Sequence, residues 1–523
     1  MSRLTRTFER TDVKKIILSL LAFSLSSHSQ ATIKPNQPND SLTIYTPYQK
    51  NPNLLKQAPG QNDPLLNLTN PPLVAFGKNW RWECLVCEAI PKIKVKKGRR
   101  AKKSRKNYKT IWRIKNEYHW EDGTPVTGKD VKLTIEHLRT ELPILNKMVK
   151  SILVNKNDPR EFSITFRNIQ YNFHKVLAIR LIHPTGSLKS YGPWKVQDRG
   201  TQTVTLARNP YYSGHRSNIA RLILNREVPR KTNASLNTLK LTDDPHKKAL
   251  LGHHNTIVAS RELETLVINL RNPILSNIYL RKALMLSIDQ PMINKTVYRN
   301  NGFITKTFTH PADPLCLPTK FGDVQIERAK DYLHRAGWIM DVDGWRYKQN
   351  KKLVLELKYP NSSKKRAIVK ILKQNWRALG IEIEELPEKP RNFLKKTIPK
   401  ANFKDISLLT WSTIPGSFPY DTFHSKEIPA HDNNYKGKNI SGWANKKVDS
   451  LFDQAAITFD FRKQQKICTK LQNHFYQDIP MIPILFNPVS SVASKNLIDY
   501  TPVHHIYDST LYSHQWSLAK KPL

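Results

Sequence analysis

The chain has 523 residues, 39% of them hydrophobic, with 11 Trp, so two to four packed domains are expected and a disordered chain is not. Lys and Arg number 85 against 42 Asp and Glu, a formal charge of +43. That excess admits anionic lipid, polysaccharide or nucleic acid as a partner without choosing among them.

Arg3, Arg6, Arg10, Lys14 and Lys15 precede an apolar stretch at 16–25, and Ser29-Gln30-Ala31 supplies small residues at a cleavage point. The stretch is half of the roughly 20 residues needed to span a bilayer. Residues 1–31 therefore read as a secretory signal, with a periplasmic location expected and no cysteine placed for a lipid anchor. Residues 32–72 are rich in Pro, Asn and Gln and hold one expected strand, at 42–45.

Cys84 and Cys87 form a C-x-x-C, while Cys316 and Cys468 stand far off in sequence. Lacking a second such pair or paired histidines, the motif does not predict zinc; a local disulfide or two buried thiols are the ordinary outcomes. Residues 92–109 carry eleven Lys or Arg in eighteen positions. Such a run usually belongs to a solvated loop. Its functional alternative is a polyanion contact through Arg99, Arg100, Lys102 and Lys103. Neither a zinc finger, an RNP aromatic motif nor a dimeric basic helix accompanies the run, so nucleic acid is not the expected partner.

Residues 110–138 predict a strand, a tight turn and a capped helix. Alternation leads to Trp120, Asp122-Gly123 is a turn dipeptide, and Pro125 stops the strand. Thr127 and Asp130 form an N-terminal cap signature, after which Val131, Ile135 and Leu138 recur at helical spacing. Strands are expected at 160–166 and 203–208, the second reached from Tyr191-Gly192-Pro193-Trp194 and running into Arg208-Asn209-Pro210-Tyr211-Tyr212.

A strand at 267–270 precedes a helix whose core stripe is Leu280, Ala283, Leu284 and Ile288, with the Arg281-Lys282 pair and Asp289 at its edge. Asp341-x-Asp343-Gly344 predicts a hairpin turn; it lacks the acidic ligands of a calcium loop. Ile368, Ile371, Leu372, Trp376 and Leu379 mark one face of a helix over 364–379 that Gly380 closes, and 381–386 alternates as a strand. Helices are expected at 446–457 and 461–478 before the chain returns to a sheet through Ile479-Pro480-Met481-Ile482-Pro483.

Five of these segments, in order, resemble the extracytoplasmic solute-binding proteins of ABC importers, in the family that binds oligopeptides, dipeptides and nickel. They are aromatic-x-Asp-Gly-Thr-Pro-x-Thr-x-x-Asp-Val; Gly-Pro-Trp through Leu-x-Arg-Asn-Pro-x-Tyr; the 277–289 helix; helix-Gly380-strand; and the 478–484 return. The resemblance implies an α/β fold, a two-lobed periplasmic-binding-protein clamshell (type II, cluster C-like) with an extra subdomain in the N-terminal lobe. It divides the chain into an N-terminal lobe of 32–80, 190–265 and 485–523, an accessory subdomain at 81–189, and a C-terminal lobe at 266–484.

It also implies a monomer that captures a peptide or similar polar solute between the lobes and delivers it to an inner-membrane ABC permease. No catalysis, cofactor or metal is expected, since nucleophile-elbow, zinc-protease and phosphate-loop motifs are missing and His253-His254 and His504-His505 read as exposed polar residues. Cleft residues carried over by the resemblance are Trp411, as a wall, and Trp443, near the mouth. Where the family places an acidic anchor for a ligand ammonium this chain has Thr413 or Ile414. Asp421 is the nearby carboxylate, either a substitute anchor or a turn cap.

Overall fold

The computed structural model describes residues 40–49, 52, 61–93, 108–167, 169–186, 188–215, 217–227, 237–242, 252–316, 324–414, 416–503 and 507–519. The signal reading, Arg99, Arg100, Lys102 and Lys103 of the basic run, and His504-His505 lie outside the described residues.

Eleven described strands join one mixed sheet. In chain order they are β1 (Ser41–Tyr45), β2 (Trp194–Arg199), β3 (Thr203–Arg208), β4 (Arg221–Asn225), β5 (Thr238–Thr242), β6 (His253–Ile268), β7 (Phe303–Ile304), β8 (Val354–Pro360), β9 (Glu382–Glu388), β10 (Ile406–Ser412) and β11 (Met481–Ser494). Their spatial order is β9-β8-β10-β6-β11-β5-β1-β4-β3-β2, with β7 added on β11.

Two long strands make the sheet continuous. β6 and β11 pair antiparallel from His253 opposite Ser494 to Val267 opposite Met481, and the register breaks between Ala259 and Leu263. On one side of the break β11 pairs β5, with Leu239 opposite Ala493. On the other, β6 pairs β10, with Leu263 opposite Trp411. Residues 260–262 thus bulge where both strands pass from one half of the sheet to the other, and a bulge bends and twists the strand that carries it.

Separate cores pack on these halves and on a smaller sheet beside them. One joins Leu42, Leu222, Trp194 and Trp516. A second gathers Trp112, Trp120, Ile135 and Phe162 around a three-stranded sheet of Tyr108–Arg113, Val149–Val154 and Glu161–Phe166. The far half of the large sheet is covered on one face by Leu284, Leu355, Leu372 and Trp376, and on the other by Phe308, Phe423, Trp443 and Phe475.

The local signals have physical counterparts. Helix α1 (Gly128–Glu141) starts at a capping box: Lys129 N donates to Thr127 Oγ1 at 3.3 Å, and Thr127 N donates to Asp130 Oδ2 at 2.7 Å. Two otherwise orphaned amides are satisfied this way. Replacing Thr127 with alanine is expected to lower stability by about 1 kcal/mol, read from urea unfolding, while Thr127→Ser stays close to the wild-type chain. Gly192 belongs to a close approach rather than a turn. Its N donates to Thr69 O at 2.7 Å, and a Cβ there would sit 2.8 Å from the Leu68 and Thr69 carbonyl oxygens. Asp341 and Gly344 close a hairpin in which Ile339 pairs Tyr347.

Two expectations are corrected. Arg281, on helix α2 (Ile278–Leu286), is buried rather than at the edge. Its guanidinium donates to the carbonyls of Leu275, Ser276 and Asp478 at 2.7–2.8 Å, which satisfies a charge that burial would otherwise leave bare. His253 is likewise buried, its Nε2 2.7 Å from Thr238 Oγ1, whereas His254 faces solvent. Strand alternation separates the two rings.

Candidate functional site

Three short segments meet beside the end of β10 and enclose a cavity of about 230 Å³. The strand end carries Trp411 and Ser412, the loop after β7 carries Phe308, His310 and Asp313, and the third segment carries Phe418 in a turn and Asp421 in the one-turn helix Tyr420–Phe423 that follows. Alternation along β10 explains the placement of Trp411: it pairs with Leu263 and packs on the small cluster of Leu263, Phe486 and Ala259. Its ring lies 5.7 Å from that of Phe423.

The acidic groups of the wall are already occupied. Asp421 Oδ2 accepts from Lys438 Nζ at 2.7 Å. Asp313 is 7% exposed and accepts from the amides of Leu315 at 2.9 Å and Gly416 at 2.8 Å. Burial pushes its carboxyl up, and those two amides pull it back. Burial also lowers the His310 imidazole to about 4, so the ring is neutral near pH 7. Its Nε2 donates to Ala259 O at 3.3 Å, beside the bulge of β6.

Residues from much earlier in the chain reach this wall. Tyr171 Oη accepts from Phe418 N at 2.9 Å, with the two rings edge to face at 5.5 Å. Trp80 stacks on His310 with centroids 4.1 Å apart. Gly416 has φ +62, and a Cβ on it would lie 2.6 Å from the Phe76 ring, so this approach requires glycine twice over. Lys175, partly buried, is lowered to about 8 by desolvation, against the attraction of the Asp313 and Asp421 charges.

A second crevice of about 260 Å³ is lined by residues 260–262 of the bulge, Lys364, Asn487 and Asp508. Its polar groups largely satisfy one another: Asn487 donates to Glu262 Oε2 at 3.2 Å, and Lys364 donates to Asn487 Oδ1 at 3.2 Å. The cavity walled by Trp411 and Phe418 is therefore the better candidate site.

Of the residues singled out from the sequence, Trp411 and Asp421 stand in the cavity wall. Trp443 lies one layer behind it, 4% exposed, its indole N–H donating to Asp478 Oδ2 at 2.9 Å and its ring 5.7 Å from Phe423. It supports the wall rather than forming the mouth. Phe308, Asp313, Phe418, Lys438, Tyr171 and Lys175 were not singled out. They come from distant parts of the chain, and only the aromatic spacing around Phe418 offered a local signal. Among the described residues no group of three or more His, Cys, Asp or Glu side chains is arranged to hold a metal.

The disulfides bear on the same region. Cys84 pairs with Cys87, the first of the two outcomes open for the C-x-x-C. Cys316 pairs with Cys468 across 152 positions, a bond that sequence spacing did not suggest.

With this geometry in place, comparison with known proteins is informative. The model of the bacterial extracellular solute-binding proteins, family 5 middle region, matches residues 100–428. The oligopeptide-binding protein OppA of Bacillus subtilis (strain 168) is 24% identical over 227 residues, which is 43% of this chain and 39% of that protein. Among solved structures, a Sinorhizobium meliloti ABC transporter substrate-binding protein superposes with a TM-score of 0.74 at 17% identity, covering 92% of this chain and 100% of that one. NikA of Brucella suis in complex with Fe(III)-EDTA gives 0.70 at 16% identity, covering 91% and 99%. AppA of Bacillus subtilis in complex with a nonapeptide gives 0.60 at 17%, covering 92% and 99%. At these identities the likeness establishes the fold, a type II periplasmic binding protein.

Proposed function

The chain belongs to the bacterial extracellular solute-binding proteins of family 5, and from that membership we propose that it is the substrate-binding component of an ABC importer. It captures a peptide or similar polar solute in the cavity walled by Trp411 and Phe418 and delivers it to a membrane permease. On this reading the first 31 residues direct export, the protein acts as a monomer, and it carries out no chemistry of its own. The lobes divide at the boundaries given from the sequence, with β6 and β11 as the crossing strands.

A single observation carries the proposal: the cavity wall is met from the other side by Tyr171 and Trp80. Wall residues of the cavity thus carry the contact between the halves, so a solute that orders this wall favours the arrangement in which they meet. Two of the structures named above hold a nonapeptide and Fe(III)-EDTA, which supports a peptide or similar polar solute.

Two measurements test it. Mass spectrometry of denatured protein, after native purification, is expected to release a small molecule in near-stoichiometric amount. Trp411→Ala is expected to weaken its rebinding about ten- to hundredfold in calorimetry, corresponding to the roughly 1.5–3 kcal/mol of a buried large apolar side chain. An empty cavity together with no thermal shift across peptide, sugar and chelate panels contradicts the proposal.

A further inference from the structure

We infer that the connection between the helices Lys446–Ala456 and Phe461–Asp478 is a latch, which grips the core around the three-stranded sheet and holds the lobes together without touching the solute. This rests on the receptor reading above and adds a determinant of affinity that lies outside the cavity.

An exchange of aromatic side chains carries the inference. Phe452 and Phe461, on either side of the connection, pack with the core of Phe308, Phe423 and Phe475. Phe459, within it, packs instead on the core of Trp112, Phe162 and Phe173. Tyr171 goes the other way. Ile169 and Phe173 flank it and belong to the three-stranded-sheet core, whereas its own ring packs on the core of Phe308 and Phe475. The two segments also join through their backbones, Tyr171 N donating to Ala456 O at 2.9 Å. Arg81 adds a third contact, its guanidinium 4.4 Å from the centre of the Phe461 ring.

The connection is shaped by its own surroundings. Thr458 Oγ1 donates to Gln454 O at 2.7 Å, and Gln464 Nε2 donates to Thr458 O at 2.6 Å. Asp460 caps the following helix by accepting from Lys463 N at 2.8 Å. Such bracing presents Phe459 in place, so little ordering entropy opposes its docking.

Arg81, Tyr171, Ala456 and Phe459 are not among the residues that line the cavity; Tyr171 reaches the wall only through Phe418. With the accessory subdomain on the N-terminal lobe, each of these contacts joins lobe to lobe. They favour the closed arrangement whether or not a guest is held. The solute then has less of the closing to do, and its apparent affinity rises although no contact to it is added.

The test follows amide hydrogen exchange of the full chain, stripped of solute, with small-angle scattering on the same sample. Phe459→Ala is expected to speed exchange of the Tyr171 amide at least about tenfold, with both flanking helices at wild-type rates, and to enlarge the radius of gyration. Phe459→Leu keeps apolar bulk and is expected to stay within about threefold of wild type. Arg81→Ala, at an exposed position outside both cores, is expected to speed the same amide about two- to threefold. Rebinding of the solute recovered from the wild-type preparation is expected to weaken about tenfold in Phe459→Ala, mainly through faster dissociation.

Unchanged Tyr171 exchange in both alanine variants overturns the inference, as does an unchanged radius of gyration in Phe459→Ala. Exchange that quickens equally in the flanking helices overturns it too, since that marks general loosening, and so does undiminished rebinding. Exchange and scattering need no solute. A preparation that releases none therefore counts against the receptor reading, while these two measurements still decide the latch.

Discussion

Replacing Glu264 with alanine is expected to destabilise the protein by about 3–5 kcal/mol, the largest effect foreseen for a single substitution. Glu264 lies on β6, 1% exposed, and accepts from Lys365 Nζ and, at 3.0 Å, from Thr410 Oγ1. Lys365, 5% exposed, enters from the first turn of helix α3 (Ser363–Arg377) and also donates to Thr410 Oγ1 at 3.0 Å. The triad bonds β6, β10 and α3 within the half of the sheet that carries the cavity.

Desolvating two charges is costly, and their attraction offsets that cost only while both remain. Glu264→Ala strands an ammonium inside the protein, and Lys365→Ala strands a carboxylate. Both should lower the urea midpoint strongly. The double variant Glu264→Met/Lys365→Met, which removes both charges and keeps volume, should recover most of the loss. A single substitution costing no more than about 1 kcal/mol, the range of exposed pairs, would show that the triad is not buried as described.

Breaking the Cys316–Cys468 bond is the second large effect. It closes a loop of 152 positions and fastens the segment carrying Phe308, His310 and Asp313 to helix α5 (Phe461–Asp478), which follows α4 (Lys446–Ala456). Loop-closure entropy for a span of that length gives about 5 kcal/mol, and measured disulfides typically give about 2–4. The Cys84–Cys87 bond spans three positions and constrains the unfolded chain far less. Cys316→Ser/Cys468→Ser should therefore lower the melting temperature well below that of Cys84→Ser/Cys87→Ser. It should also weaken solute binding, because Asp313 and Phe308 lose their tether. Equal melting temperatures for the two variants would contradict this.

Local physics made much of the fold readable. The Thr127–Asp130 box, the Asp343-Gly344 hairpin and the Ile368 to Trp376 stripe each depend on residues within a few positions of one another, so spacing alone encodes them. Ordered motifs then connected these pieces to a family, which the comparison establishes. The features that remained hidden are long-range. Lys365 meets Glu264 across 101 positions, and Phe418 meets Tyr171 across 247. No periodicity reports such partners.

Arg281 shows the same limit from the other direction: a charged residue beside a helical stripe reads as an edge, yet three distant or turn carbonyls draw it inside. At the cavity, Trp411 and Asp421 were legible through a motif. Trp443 looked equivalent, but its bond to Asp478, 35 positions on, sets it one layer deeper.

Small-angle scattering, recorded on the chain stripped of its solute and again after the released solute is returned, tests most directly whether two halves joined by β6 and β11 close on a guest. A smaller radius of gyration with solute, reversed on stripping and with the solute's mass unchanged, is the expected result. Superimposable curves in the two states, or a solute recovered chemically altered, would contradict it.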